Sequence, residues 1–238
     1  MSRAILVTGA NRGIGLEHVR QALAAGETVI ATCRRPAEAA ALADLHAAYP
    51  DQMRIEALDV NDGASIDALA ARLSDTPIDM LLNNAGIYGG SWASGGERQT
   101  VQGMDYDLWE EMMRINVIAP FRLTARLMPS LLLGRERLVV MMSSDLGSIT
   151  NNTHGTSHAY RSSKAALNML TKGLAIDLHQ QGVKVIAMAP GWTKTDLGGD
   201  GAVWEVDDSV RRQRAVLAGA AGIASGTFVN LLGEAVAW

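Results

Sequence analysis

The chain has 238 residues, 48% of them hydrophobic and 19% charged, with a formal net charge of -4. This describes one large globular domain or two small ones and excludes disorder and coiled coil. The acidic balance, with lysine only at Lys164, Lys172, Lys184 and Lys194, argues against nucleic acid as a partner, and a lone Cys33 leaves no internal disulfide.

In chain order, Ala4 to Val7 reads as a buried strand and Gly9 to Gly15 as a glycine-rich turn. Leu16 to Ala25 reads as a helix with Leu16, Val19 and Leu23 on one side. Further strands are expected at Thr28 to Thr32, Arg54 to Leu58, Ile78 to Leu82, Leu138 to Met142 and Val183 to Met188. Helices are expected at Ala37 to Ala48, Ser65 to Leu73, Tyr106 to Leu127 and Ala159 to His179. Short apolar runs alternating with helices call for a doubly wound parallel sheet with helices on both faces. The expected organisation is a single α/β domain, with a cofactor half to about residue 135 and a catalytic half beyond it.

No apolar run reaches the roughly 18 residues that span a bilayer, so no membrane association is expected. Met1-Ser2-Arg3 leads straight into a strand and does not resemble a signal peptide. With the unpaired cysteine, this points to a cytoplasmic location. Two irregular stretches, Ile87 to Gly103 and Gly191 to Glu205, leave strands at the sheet edge where ligands bind, and are candidate walls or lids.

Thr8-Gly9-Ala10-Asn11-Arg12-Gly13-Ile14-Gly15 lies between a strand and a helix. Glycines there let backbone approach a pyrophosphate, whose charge the helix N-terminus stabilises. The spacing is G-x-x-x-G-x-G, and as a lone motif it is also compatible with simple chain reversal. The second strand runs into Ala31-Thr32-Cys33-Arg34-Arg35 without the acid that would bind a ribose 2′-hydroxyl. Arg34, with Arg12, is instead suited to a 2′-phosphate, because guanidinium matches phosphate oxygens in a fork; two solvated surface arginines is the plainer alternative. NADP(H) is therefore favoured, with NAD(H) still open.

Tyr160 and Lys164 share a helix face at four-residue spacing, and an ammonium beside a phenol favours the phenolate. Ser143-Ser144-Asp145-Leu146-Gly147-Ser148 follows the fifth strand at the ligand edge. Asn83-Asn84-Ala85-Gly86, Asn116, Ser144, Tyr160/Lys164 and Pro190-Gly191-Trp192-Thr193-Lys194-Thr195-Asp196 follow the glycine turn in one order. This order resembles the short-chain dehydrogenase/reductase family over essentially the whole chain, and within it the C-factor/sniffer-like branch of carbonyl reductases.

The resemblance implies a seven-stranded Rossmann fold and reversible reduction of a ketone or aldehyde by hydride transfer. It casts Tyr160 as general acid/base, Lys164 as its activator and a ribose contact, Ser144 as the group orienting the carbonyl, and Asn116 as holder of a relay water. The implied cofactor contacts are Gly9, Asn11, Arg12, Gly13, Ile14, Gly15, Cys33, Arg34, Asp59, Val60, Asn83, Ala85, Gly86, Pro190, Gly191, Thr193 and Thr195, besides Tyr160 and Lys164. Ser144 precedes Tyr160 by sixteen residues where thirteen is usual in the family, so Ser148 stays an alternative. The partner is expected to be a small carbonyl or alcohol compound, and a homodimer or homotetramer is implied. Signalling or cofactor sensing without catalysis is the alternative function.

Of the remaining residues, His154 and His158 are expected at the substrate mouth and no metal is expected. Trp192 and Trp204 are candidate covers for an apolar substrate. Cys33, beside the arginines, is either a thiol of lowered pKa or simple packing.

Overall fold

The computed structural model describes residues 2–238. In chain order the elements are β1 (Ala4–Val7), α1 (Gly13–Ala24), β2 (Thr28–Cys33), α2 (Ala40–Ala48), β3 (Met53–Ala57), α3 (Gly63–Arg72), β4 (Met80–Asn83) and α4 (Trp92–Gly95). There follow α5 (Tyr106–Met113), a π-helical turn (Arg114–Ile118), α6 (Ala119–Arg126), α7 (Met128–Leu133), β5 (Leu138–Met142), α8 (His158–Asp177), β6 (Lys184–Ala189), α9 (Val206–Ala218) and β7 (Phe228–Asn230).

Every strand pairing is parallel, in the order β3-β2-β1-β4-β5-β6-β7. Period-two alternation divides each strand between two cores. Ile5, Val7, Val140 and Met188 pack with Val19 and Leu23 of α1, Leu42 of α2 and Leu217 of α9. Leu6, Leu81, Val139 and Val185 pack on the other face with Ile66 and Leu69 of α3, Leu123 of α6 and Leu167 and Leu174 of α8. With both faces covered, a strand must be apolar at consecutive positions, and each fully buried aliphatic side chain contributes about 1.5–3 kcal/mol. This is the doubly wound Rossmann arrangement that the alternating pattern predicts. The sheet order reverses at β1, which lies between β2 and β4, and a crevice opens beyond the carboxyl ends of these strands.

Beyond shifts of one to three residues at the element ends, three stretches depart from the expected pattern, and two helices are new. The helix expected from Tyr106 to Leu127 is interrupted by the π turn at Arg114–Ile118, and such turns recur at functional sites. Ala37 is not in α2, because Pro36–Glu38 forms a separate 3-10 turn before it. The stretch Ile87 to Gly103 contains the short α4. Helices α7 and α9 were not among the expected elements, and β7 supplies the seventh strand that the family resemblance implies. In α9 the buried positions are Ser209, Val210, Gln213 and Leu217, so half of its core-facing side chains are polar. Among the described residues no helix is long and apolar enough to cross a membrane.

Candidate active site

The glycine turn is held against the end of β4 by one threonine. The Thr8 hydroxyl oxygen accepts the Asn84 and Ala85 N–H groups, each at 2.9 Å, and Asn84 Nδ2 donates to the Thr8 carbonyl at 2.8 Å. Gly9 adopts φ +63°, and a Cβ there would lie 3.1 Å from the Ala85 backbone. A Cβ on Gly15 would meet the Gly9 carbonyl oxygen at 2.3 Å. This close approach brings the N-terminus of α1 onto the turn, as an anion site requires.

From this cradle a cavity of about 460 Å³ runs to the end of β5. It is lined at one end by Arg34, Asp59 and Val60 and at the other by Ser144, Tyr160 and Lys164. Gly9, Asn11, Arg12, Gly13, Ile14, Cys33, Ala85, Gly86, Pro190, Gly191, Thr193 and Thr195 also line it. Two expected cofactor contacts do not line it. Gly15 serves the helix-to-turn contact just described. Asn83 is buried behind the cavity, donating to Thr124 Oγ1 at 3.3 Å and Met141 Sδ at 3.4 Å. Asn84, which accompanies it in the motif, is the asparagine that faces the cavity.

The groove suits an elongated nucleotide. Its backbone cradle would be filled by side chains at Gly9 or Gly15, and two guanidinium groups stand among its walls. Arg34 is exposed. Arg12 is not free as expected, since its Nη1 lies 3.0 Å from Asp196 Oδ2. Burial pushes the Cys33 thiol up, against a smaller lowering by the Arg35 backbone N–H. The expectation of a lowered thiol pKa therefore fails, and Cys33 packs in the core.

At the far end, Ser144 caps the turn after β5, accepting Leu146 N–H at 3.2 Å, and lines the cavity together with the Tyr160 phenol. Three residues seat this turn on α8. Ser143 Oγ donates to Asn168 Oδ1 at 2.6 Å, Asn168 Nδ2 donates to the Gly147 carbonyl at 3.2 Å, and a Cβ on Gly147 would strike Lys164 at 2.9 Å. Ser148, the alternative serine, lies outside the cavity lining; its oxygen accepts Asn151 N–H and its hydroxyl reaches the Trp238 carbonyl.

Lys164 Nζ donates to the Met142 carbonyl at 2.8 Å and stands 5.5 Å from the centre of the Tyr160 ring. Burial pulls Lys164 down to about 8. Burial pushes Tyr160 up to about 12; the neighbouring Ser144 hydroxyl opposes this, while Tyr88 and Asp145 add to it. The spacing alone predicts a lowered phenol pKa, but burial raises it instead. At neutral pH the phenol carries its proton.

Asn116 sits in the π turn, buried behind Gly86. Its carboxamide accepts Ile87 N–H and donates to the Ile87 carbonyl, both at 2.9 Å, and to Ser163 Oγ at 3.1 Å. The Cβ position of Gly86 lies 3.2 Å from Asn116 Oδ1 and 3.7 Å from Lys164 Nζ. A glycine there leaves the gap between the two groups open.

Gln99 escaped the sequence reading. Ser157, the N-cap of α8, makes no capping bond, because its hydroxyl pairs with the Tyr88 hydroxyl at 2.8 Å. Gln99, wholly buried, takes over that role: its Oε1 accepts the Tyr160 N–H at 2.9 Å while Nε2 donates to the Tyr88 carbonyl at 2.8 Å. One side chain thus ties the segment after β4 to the first turn of α8. A glutamine amid Gly, Ser and Arg offers no periodic signal.

The substrate side is aromatic. The Tyr88 ring meets Tyr160 edge-on at 5.1 Å between centroids and lies 5.3 Å from Trp92, which is 6.0 Å from Trp192. Trp192 is therefore a cavity wall, as expected. Trp204 instead packs on Gly191 and under the Arg212 guanidinium, outside the lining. His154 and His158 also lie outside it, and no metal-binding group of three or more His, Cys, Asp or Glu residues occurs among the described residues.

The short chain dehydrogenase family matches residues 3–205. C-signal of Myxococcus xanthus is 37% identical over 171 residues, 72% of this chain and 99% of that protein. The carbonyl reductase Sniffer of D. melanogaster superposes with a TM-score of 0.91 at 31% identity, covering 100% of both chains. The NADPH-bound carbonyl reductase from chicken fatty liver gives 0.88 at 35% identity, over 100% of this chain and 94% of that one. Together with the parallel sheet and the Tyr160, Lys164 and Ser144 cluster, these matches make the chain a member of the short-chain dehydrogenase family of oxidoreductases.

Proposed function

We propose that the protein is an NADP(H)-dependent carbonyl reductase, interconverting a ketone or aldehyde and its alcohol. The observation that carries this reading is one cavity joining a glycine cradle and two arginines to Ser144, Tyr160 and Lys164. The NADPH-bound neighbour adds support.

The cradle from Gly9 to Ile14, with Asp59, Val60, Ala85, Gly86, Pro190, Gly191, Thr193 and Thr195, would hold the nucleotide, and Arg34 with Arg12 its 2′-phosphate. When bound, the nicotinamide supplies a hydride. Ser144 donates a hydrogen bond to the substrate oxygen and fixes the carbonyl beside Tyr160. Tyr160 gives its proton to that oxygen as negative charge develops there. The alkoxide is a far stronger base than a phenolate, so a phenol held near 12 still donates downhill. Lys164, cationic below its pKa of about 8, stabilises the phenolate left behind. Asn116 holds Ile87 in place, and the gap beside Gly86 is open to a water through which a solvent proton, relayed by way of Lys164, restores the Tyr160 phenol and leaves Lys164 cationic. In alcohol oxidation each step runs in reverse. The exposed Ile118, Phe121, Met169 and Ile176 on the π turn, α6 and α8 are suited to a homo-oligomer contact.

Tyr160→Phe tests the reading. The variant should bind NADPH within about threefold of the parent affinity by fluorescence titration and lose at least ~100-fold in kcat on any ketone that the parent reduces. Retained turnover across a carbonyl panel rejects it. The likeness to C-signal supplies a second reading, as a cofactor-responsive signal. Tight NADPH binding with no turnover of any carbonyl compound by the parent protein would favour that reading instead.

A further inference from the structure

Three carboxylates line the cavity, and two have partners on the protein. Asp196 pairs with Arg12, and Asp59 Oδ1 accepts the Asn61 N–H at 2.9 Å. Asp145 is different. It follows Ser144 directly, at the substrate end, and among the described residues no side chain hydrogen-bonds to its carboxylate. Among the described residues it forms no ion pair. The walls around it, Ile87, Tyr88, Trp92, Leu146, Trp192 and Leu197, are uncharged, and the cation at this end, Lys164, donates to the Met142 carbonyl.

An anion in this position is unfavourable for the protein alone. The residue is exposed on the cavity wall with no protein cation paired to it, and partial desolvation by the neighbouring apolar walls pushes its carboxyl pKa up. Its charge also opposes ionisation of Tyr160, the group that must carry negative charge after proton transfer. Both costs fall when a positive charge arrives with the ligand, because an ion pair replaces lost solvation and cancels the field at the phenol. The tryptophan pair supplies the complementary part: flat faces suited to an aromatic or apolar group, from two segments joined by the Trp92 N–H to Leu197 carbonyl bond at 2.8 Å.

We infer that the substrate is a carbonyl compound with a flat apolar portion and a nearby cationic group, the flat portion lying against Trp92 and Trp192 and the cation against Asp145. This inference rests on the carbonyl-reductase reading and names the substrate class of that site. Asp145 is its specificity-determining residue, and carboxylate-bearing ketones are the class it rejects.

The test uses phenyl ketones whose alkyl arm ends in trimethylammonium, in the isosteric tert-butyl group or in carboxylate. Shape is held constant in the first two, so charge alone separates them. The parent protein should show kcat/KM about tenfold or more higher for the cation than for its neutral isostere, with the carboxylate poorest. In Asp145→Asn, with folding checked by circular dichroism, the cation-to-neutral ratio should fall to near one, chiefly through KM for the cation. A parent protein that prefers the neutral ketone overturns the inference, and so does an Asn variant that keeps the cation preference. Turnover of other carbonyl compounds but of none of these three also overturns the inference, whereas no turnover of any carbonyl compound overturns the carbonyl-reductase reading itself.

Discussion

At the nucleotide end of the cavity the walls are largely backbone: the glycine turn, the Ala85-Gly86 segment and the first turn of α1, locked together through Thr8 and Asn84. At the substrate end the walls are side chains, contributed by two irregular segments and the turn after β5, and held by Gln99, Asn116 and Asn168. A backbone wall demands glycine and admits few alternatives. A side-chain wall can change its chemistry residue by residue without disturbing the sheet. The first construction suits a ligand part that never varies, and the second suits one that differs between family members.

The sharpest way to break this contrast is Gly15→Ala, which adds one methyl group to the backbone-built end. That methyl would stand 2.3 Å from the Gly9 carbonyl oxygen and 2.7 Å from Asn84 Nδ2, and backbone on a turn fixed by Thr8 cannot retreat cheaply. A loss of about 3 kcal/mol in unfolding free energy is expected in urea denaturation, accompanied by loss of NADPH binding. A fully stable variant would show that the turn is softer than its hydrogen bonds imply.

Next in size comes Gln99→Leu at the side-chain end. It strips the Tyr160 N–H and the Tyr88 carbonyl of their partner in a region sealed from solvent, and each orphaned group costs roughly 1–3 kcal/mol. The expected outcome is about 2 kcal/mol of destabilisation. With it should come a drop in kcat that exceeds any change in NADPH affinity, because the damage is confined to the first turn of α8 and the Tyr88 wall. Equal damage to cofactor binding would mean that the two ends are mechanically one.

The contrast also explains what could be read from sequence. Backbone-built features leave glycines at fixed spacing beside a strand, so the cradle, Asn84-Ala85-Gly86 and Pro190-Gly191 were visible. The sheet was equally legible, because strands buried on both faces cannot hide their apolar runs. The turn from Ser143 to Ser148 was visible after its strand, but the Gly147 contact with Lys164 that seats it was not. By contrast, Gln99 caps a helix 61 residues away in sequence, and Ser209 and Gln213 are buried in α9 without any apolar mark. Gly15 and Asn83 show the opposite limit, as motif residues that the fold uses for packing behind the groove. The raised Tyr160 pKa was hidden as well, because spacing records the nearby ammonium but not the loss of water.

The smallest expected effect lies where the two constructions touch. Arg12 belongs to the glycine turn, and Asp196 to the segment after β6 that also carries Trp192. Their ion pair is open to solvent, with the side chains 69% and 77% exposed. Such a pair contributes about 0–1 kcal/mol, so Asp196→Asn should leave the denaturation midpoint nearly unmoved. Its consequence should instead appear in nucleotide choice. With its carboxylate partner gone, Arg12 is free to turn toward a 2′-phosphate beside Arg34, and NADPH affinity should tighten about two- to fivefold at low salt. NADH lacks that phosphate and should bind as before. The gain should fade at 1 M salt, where the screening length falls to about 3 Å. If both nucleotides tighten together, Asp196 acts on the shared diphosphate region and Arg34 alone reads the extra phosphate.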